Sequence, residues 1–345
     1  MRILVLGGTV FLSRNVAQYA VEHDHSVTTF SRGLTGEPVP GARHLTGDRN
    51  DADSLRQVAD QDYDLVFDTA YFPHQARLSA ELLAPSAGHY AFTSTVNVFP
   101  DWPEHTDYHA GGTYDGDPDT EGEQVPPDLP EGGAYGWRKV GAERAVLRAF
   151  GEDRTAILRA GLIVGPHDGV GRLPWWLHRI AQGGEVLAPG NPQDELRLID
   201  ARDIAAFALL RPAGTFETTG PAHQITRGQL FEEIKAVTRA EARFAWVGDD
   251  FLAGAEVAGW TEIPLWIPPA EAPGAFAHDT TAAEAAGLAC RPVRATLRDV
   301  WEWMQTVPGG WQPAERTPGL AADKEQRLLS SWRSGSGAAP APGSS

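Results

Sequence analysis

Apolar positions along the chain alternate between two periodicities. Ile3 to Leu6 is a short apolar, partly β-branched run, too short for a helix and suited to a strand buried on both faces, whereas Phe11 to Val21 carries apolar residues at helical spacing. The same alternation continues downstream. Strand-length runs recur at His25–Phe30, at His44–Arg49, at Asp64–Ala70 and at His89–Phe99, and helical segments run from Asp51 or Asp53 to Val58 and from Gln75 to Leu83. Strands alternating with helices predict an α/β fold of the Rossmann type, a doubly wound parallel sheet with its ligand crevice at the carboxyl ends of the strands. Gly133–Leu147 then reads as an amphipathic helix and Arg154–Arg159 as the next strand. Gly161–Pro166 delivers the chain to a different region. There Leu173–Gln182 suits a short helix and Glu195–Ile199 a strand returning towards the sheet. Asp203–Leu210 reads as a helix against the main sheet. Thr226–Val237 and Phe244–Val247 rebuild the second region, and Ala282–Gly287 and Arg294–Met304 look like closing helices.

Two stretches break the pattern. Residues 101–134 hold ten acids and no Lys or Arg, with many Gly and Pro, and read as a long loop or lid between two anchored ends. Leu320–Trp332 has helical composition. Ser334–Ser345, rich in Gly, Ala, Pro and Ser, cannot bury enough apolar area to offset ordering and is expected to be disordered.

The turn after the first strand carries the first candidate chemistry. Gly7 and Gly8 permit backbone angles and a close approach that a Cβ would forbid. A strand, a glycine turn and a helix N-terminus in succession aim backbone N–H groups and the positive end of a helix dipole at a pyrophosphate. A purely structural turn is the alternative. The spacing is G-G-x-x-x-x-S, with Ser13 where a third glycine is usual. At the end of the second strand stand Ser31 and Arg32 with no acid. An arginine there can pair with a 2′-phosphate, which favours NADP over NAD, and a solvated loop charge is the other reading. Asp48 and Arg49 close the third strand, where Asp48 can bond an adenine or simply precede a helix. Thr69 and Ala70 end the fourth strand as small residues against which a ribose can lie, and Thr93, Ser94 and Thr95 supply hydroxyls at another strand end. Tyr135 and Lys139, four apart, share a helical face. A phenol near pKa 10 is a poor base at pH 7, and lowering it by about three units needs roughly 4 kcal/mol of differential stabilisation from neighbours such as an ammonium.

Together these motifs resemble the extended short-chain dehydrogenase/reductase superfamily, of the NAD-dependent epimerase/dehydratase type. The matching pieces are Gly7-Gly-Thr9-Val-Phe-Leu12, Phe92–Val98, Tyr135-Gly-Trp-Arg-Lys139, Leu158–Pro166 and Leu198–Ile204, in the family's order over about residues 1–305. The resemblance implies cofactor contacts from Thr9, Phe11 and Leu12, Tyr135 as the acid/base, and Lys139 as the group that lowers its pKa and holds the nicotinamide ribose. It implies Thr95 as the hydroxyl that polarises the substrate oxygen, with Ser94 as the alternative. Ser13, the missing acid after the second strand, and Phe99-Pro100 in place of the common Tyr-Gly depart from the family pattern. The expected activity is an NAD(P)-dependent oxidoreductase on a carbonyl or alcohol. A sugar-nucleotide epimerase or dehydratase is the first alternative and a non-catalytic dinucleotide- or RNA-binding relative the second.

Residues 1–165 are then the dinucleotide-binding domain, with 198–225 returning to it. Residues 166–197 and 226–312 form a substrate-binding lobe, 313–332 a C-terminal helix and 333–345 a disordered tail. In the lobe Trp175, Trp176, His178 and Arg197 are pocket candidates, each with a packing alternative, and His167-Asp168 reads as a loop.

Totals narrow the partners. With 29 basic and 46 acidic residues in 345 the formal charge is −17, which opposes phosphate backbones and anionic membranes and favours a small-molecule substrate. One cysteine, Cys290, excludes an internal disulfide framework, and no Cys/His spacing suggests a metal. Met1 leads directly into the first strand, so no leader or membrane segment is expected and the setting is read as cytoplasmic. Eleven tryptophans suggest an aromatic-lined interior or pocket.

Overall fold

Strand β1 (Arg2–Leu6) shows why its apolar run is continuous. Ile3 and Val5 enter one core, Leu4 and Leu6 the other, and all four are buried because both faces of the sheet are covered. The computed structural model describes residues 1–130 and 132–336. Its elements continue with α1 (Phe11–Glu22), β2 (Ser26–Ser31), β3 (Arg43–Thr46), α2 (Ala52–Ala59), β4 (Leu65–Asp68), α3 (Pro73–Leu83), β5 (Tyr90–Thr95), α4 (Gly133–Phe150), β6 (Thr155–Ala160) and β7 (Leu162–Val164). Then follow α5 (Arg172–Ala181), β8 (Gly184–Pro189), β9 (Glu195–Leu196), β10 (Leu198–Asp200), α6 (Ala201–Leu209), β11 (Gly214–Thr218), β12 (Ile225–Thr226), α7 (Arg227–Thr238) and β13 (Ala242–Val247). Helices α8 (Asp249–Gly254), α9 (Thr281–Ala285), α10 (Val293–Thr306) and α11 (Ala322–Ser331) complete the described chain.

The chain packs as two units. The first comprises residues 1–167, 197–222 and 272–291, and the second residues 168–196, 223–271 and those from 292 onward. In the first, seven parallel strands lie in the order β11-β6-β5-β4-β1-β2-β3. Residues of α1, α6 and α9 fill one face, and those of α2, α3 and α4 the other. This is the expected doubly wound parallel sheet. The chain runs outward from β1 to β3 and restarts at β4 on the opposite side of β1, so the direction reverses between β1 and β4, where a ligand crevice opens in such sheets.

In the second unit β8 pairs in parallel with β13 and β9 antiparallel with β12. Trp176 is fully buried, its ring 4.3 Å from Phe231 and its Nε1 donating to the Pro264 carbonyl at 2.6 Å. Glu325 of α11 accepts from Arg179 at 2.6 Å and from the Leu187 amide at 2.9 Å, which docks the last described helix.

Several spans differ from the sequence reading, among them strand β11 at one edge of the central sheet, which that reading does not contain. The run expected to continue as strand to Phe99 leaves the sheet after Thr95, whose hydroxyl accepts from the Asn97 amide at 3.2 Å and caps a single 3₁₀ turn, Val96–Val98. Glu195–Ile199 is divided by Arg197 into β9 and β10. Strand β8, which follows a turn at Gly183-Gly184 with both glycines at positive φ, is also absent from the sequence reading. Of the tail expected to be disordered, residues 337–345 lie outside the described residues, as does Glu131.

Candidate active site

Gly7 and Gly8 adopt φ of +121° and +95°, and a Cβ on Gly8 would stand 2.5 Å from the Thr29 methyl, so both positions require glycine. Ser13 occupies the third-glycine position without obstructing the turn. Its Oγ lies beside Gly7 and donates to the Val10 carbonyl at 3.0 Å, folding the side chain back onto its own helix. Val10 is the N-cap of α1 and makes no side-chain cap bond, and the first turn of α1 holds no acid. The amide end of α1 therefore carries positive potential with no competing carboxylate, which suits an anionic group.

A cleft of about 300 Å³ opens beside this turn. It is lined by Val10–Ser13 of the turn, by Thr69 after β4, by Thr93–Thr95 at the end of β5, by Tyr135 and Lys139 of α4, and by Ala160, Gly161 and Ile163. Phe11, Leu12, Thr69, Ser94, Thr95, Tyr135 and Lys139, which come from four separate stretches of sequence, thus face one space. The Thr93 and Ser94 hydroxyls are buried and have no hydrogen-bond partner among the described residues. Unpaired buried hydroxyls are costly, so these two suit a ligand with polar groups. A dinucleotide fits this set through the open helix end, the two glycines and the unpaired hydroxyls.

The charges in the cleft follow from burial. Lys139 is buried, donates from Nζ to the Ala70 carbonyl at 2.8 Å and to the Thr93 carbonyl at 2.5 Å, and sits 4.4 Å from the centre of the Phe92 ring. Its third N–H stays available. Burial lowers its pKa to about 8, against the opposing pull of Asp68 and Glu143. Burial raises the Tyr135 phenol above its ordinary value, while a hydrogen bond with the Thr95 side chain pulls it down. Thr95 also bonds Asn97 Oδ1 at 2.8 Å.

Other expected residues have different surroundings. Thr9 is buried under the loop after β2, where a Cβ on Gly36 would overlap its carbonyl. Ala70 is buried and offers Lys139 its carbonyl. Ser31 accepts from the Gly33 amide at 3.3 Å, and Arg32 is exposed with no hydrogen bond or ion pair among the described residues. Asp48 accepts from the Asn50 amide at 2.9 Å and from its side chain at 2.8 Å, which shapes a turn. The Arg49 guanidinium makes a two-pronged ion pair with buried Asp68 at 2.8 Å and a bond to Ser79 at 3.2 Å, while its Nε has no partner among the described residues. Trp175 and Trp176 are buried in the packing of the second unit, the packing alternative to a pocket lining. His178 pairs with Gln182 at 2.9 Å, and Arg197 donates to the His278 carbonyl at 2.6 Å. Asp168 accepts from the Val170 amide at 2.9 Å, consistent with a loop.

The segment after Thr95 explains its own acidity. Asp119 accepts a fork from Arg148 at 2.8 and 3.0 Å and a bond from Arg77 at 3.3 Å, Asp115 accepts from Arg144 at 2.6 Å, and Glu121 pairs with Arg77. Nearer Thr95, Tyr108 donates to Glu217 at 2.8 Å and His109 pairs with the same carboxylate. The segment is a strap across α3 and α4. Glycines make room for it: a Cβ on Gly141 would stand 2.6 Å from the Asp117 carbonyl, and one on Gly136 would overlap the Asn97 carbonyl. Two glycines inside an otherwise good helix, each costing about 1 kcal/mol against Ala, were the readable sign of this close approach. The strap is expected to resist limited proteolysis without ligand, and an Arg77→Ala, Arg144→Ala, Arg148→Ala variant to be cut there at least several-fold faster. Wild-type cleavage that is fast until ligand is added would instead make it a lid.

Among the described residues no helix is long and apolar enough to cross a membrane, and no His/Cys/Asp/Glu group could hold a metal ion. No curated protein matches the chain. Its fold is similar to that of UDP-glucose 4-epimerase from Thermotoga maritima with UDP-glucose, at 17% identity and TM-score 0.58 over 89% of this chain and 100% of that one. It is similar to the Bordetella bronchiseptica enzyme WbmG in complex with NAD, at 17% identity and TM-score 0.59 over 89% and 94%. It is also similar to UDP-N-acetylglucosamine 4-epimerase from Bacillus cereus, at 13% identity and TM-score 0.60 over 88% and 99%. The model of the NAD dependent epimerase/dehydratase family matches residues 3–212, more than half of the sequence, and the chain belongs to that family.

Proposed function

We propose that this chain is an NAD-dependent epimerase of a sugar nucleotide, with Tyr135 exchanging the proton of the reacting hydroxyl. The observation that carries the reading is the convergence of Thr95, Tyr135 and Lys139 with the residues of the glycine turn on one cleft. Family membership and the sugar-nucleotide epimerases of like fold support the substrate class.

In this reading Gly7, Gly8, Thr9 and the amide end of α1 hold the pyrophosphate, with Phe11 and Leu12 beside it. Thr69, Ala70 and the third N–H of Lys139 hold the nicotinamide ribose. Bound nicotinamide supplies reversible oxidation of the substrate alcohol to a ketone. Thr95 donates to the reacting oxygen, with Ser94 next to it as a second hydroxyl. Tyr135 takes the hydroxyl proton and returns it to the same oxygen after the ketone has turned its other face, so protons balance over the cycle. The Lys139 ammonium favours the phenolate that burial alone disfavours.

A second reading, an NADPH-dependent carbonyl reductase, is favoured by Arg32, which stands exposed and unpaired after β2 with no acid beside it. Incubating the protein and NAD with UDP-glucose separates the two. Formation of the epimer with no net change at 340 nm supports the first reading, and loss of NADPH absorbance on a carbonyl panel supports the second. If Arg32 selects the cofactor, Arg32→Asp is expected to weaken NADP binding roughly 10- to 100-fold in calorimetry and to leave NAD within a few-fold. Equal loss for both cofactors would remove Arg32 from the choice.

A further inference from the structure

Tyr135 is the third residue of α4, whose N-cap, Gly132, is left-handed at φ 80° and has no side chain to cap the helix. The first-turn amides therefore have no side-chain acceptor at the N-cap, and a residue that exchanges a proton must be held closely in place, because a displacement of about 1 Å can cost up to 10²-fold in rate. A neighbouring aromatic supplies what the missing cap does not. Tyr71, which follows the small pair at the end of β4, lays its ring on Tyr135 with centroids 5.5 Å apart and planes at 21°. Tyr71 is itself held. Its hydroxyl accepts from Arg138 at 3.3 Å, and the Arg138 guanidinium lies 5.6 Å from the Tyr71 ring and 5.2 Å from the Phe72 ring. Phe72 meets Tyr71 edge-on at 4.7 Å, and a second Arg138 nitrogen donates to the Glu123 carbonyl of the strap.

We propose that Tyr71, clamped by Arg138, is a positioning residue that holds the Tyr135 ring at the cleft. The proposal rests on the reading of Tyr135 as the proton-exchanging group. Tyr71 is 40% exposed and is not part of either core that packs on the sheet, so a large aromatic there is not required by the interior. Its contact with Tyr135 covers one face of that ring and leaves the hydroxyl to Thr95 and the cleft. Arg138 is one position before Lys139 and three after Tyr135, so the clamp and the ring it steadies rise from the same two turns of helix.

The test uses Tyr71→Ala, Tyr71→Phe and, as reference, Tyr135→Phe in the full chain, with UDP-glucose as substrate and NAD affinity measured by fluorescence. Tyr71→Ala is expected to lower kcat by about 10- to 100-fold while KM and the NAD dissociation constant stay within about threefold. Tyr71→Phe, which keeps the ring and loses only the bond to Arg138, is expected to recover all but a few-fold of kcat. Wild-type kcat in Tyr71→Ala, beside an inactive Tyr135→Phe, would overturn the positioning role alone. So would a fall in kcat matched by an equal loss of NAD affinity, since that is the mark of a general structural defect. An active Tyr135→Phe would overturn the underlying reading. Retained NAD binding shows that each variant is folded.

Discussion

Tyr135→Phe is expected to lower kcat by 10² to 10⁴-fold and to leave NAD affinity within a few-fold, because the substitution removes one hydroxyl and keeps the ring that stacks on Tyr71. A phenol at or above pKa 10 is no more than about 0.1% ionised at pH 7, and burial pushes Tyr135 in that direction. The base form therefore depends on its neighbours: Thr95 pulls the phenol down and Tyr71 pushes it up, and in the proposed mechanism the Lys139 ammonium in the same cleft supplies positive charge. Lys139 sets the sign of the pH dependence. Burial lowers it to about 8, so its ammonium is present below that pH and is lost above it. Turnover that uses this charge is expected to fall on the alkaline side of about pH 8, and Lys139→Met should abolish that limb along with most of the rate. Steady-state kinetics with UDP-glucose between pH 6 and 10 reads both effects. A Tyr135→Phe enzyme with kcat within tenfold of wild type would move the proton exchange to Ser94 or Thr95.

What could be read before the structure was whatever short-range chemistry controls. The strand at Ile3–Leu6, the positive-φ glycines after it and the Tyr135-Lys139 pair on one helical face depend on residues within a few positions of each other, and the parallel sheet follows from their alternation. What could not be read depends on partners distant in sequence. The ion pair of Arg49 is one such case: its partner is Asp68, nineteen residues on, within reach only once β4 lies in the sheet. The acidic segment looked unmatched because its arginines, at 77, 144 and 148, lie outside it on α3 and α4. Ser13 departs from the usual third glycine, and the bond of its hydroxyl to the Val10 carbonyl beside Gly7 is not legible from that departure. Trp175 and Trp176 are pocket candidates only because they fall in the expected substrate-binding lobe, and position in a lobe cannot distinguish a lining ring from a packed one.

The network around Asp68 predicts the largest effect on stability. The Asp68 carboxylate is fully buried at the end of β4 and accepts from both arms of Arg49 at 2.8 Å, from the Tyr90 hydroxyl at 2.6 Å and from the Ala70 amide at 2.9 Å. Burial, with the Asp68 charge next in order, holds the Tyr90 phenol far above its ordinary range, so Tyr90 is a committed donor. Asp68→Ala would leave a largely buried guanidinium uncompensated and strip the acceptor from Tyr90 and Ala70. Breaking such a pair costs about 3 to 5 kcal/mol, a large share of the stability of a typical domain. The damage should extend to the cleft, because the Ala70 carbonyl is one of the two acceptors that fix Lys139. The charge, rather than the volume, is the cause if Arg49→Met added to Asp68→Leu restores most of the loss, since an apolar replacement of a whole buried pair is often neutral or stabilising. Denaturant unfolding of the two single variants and the double variant measures this. A loss below about 1 kcal/mol in Asp68→Ala, or a double variant no more stable than Asp68→Leu, would show that the pair is not what holds the end of β4.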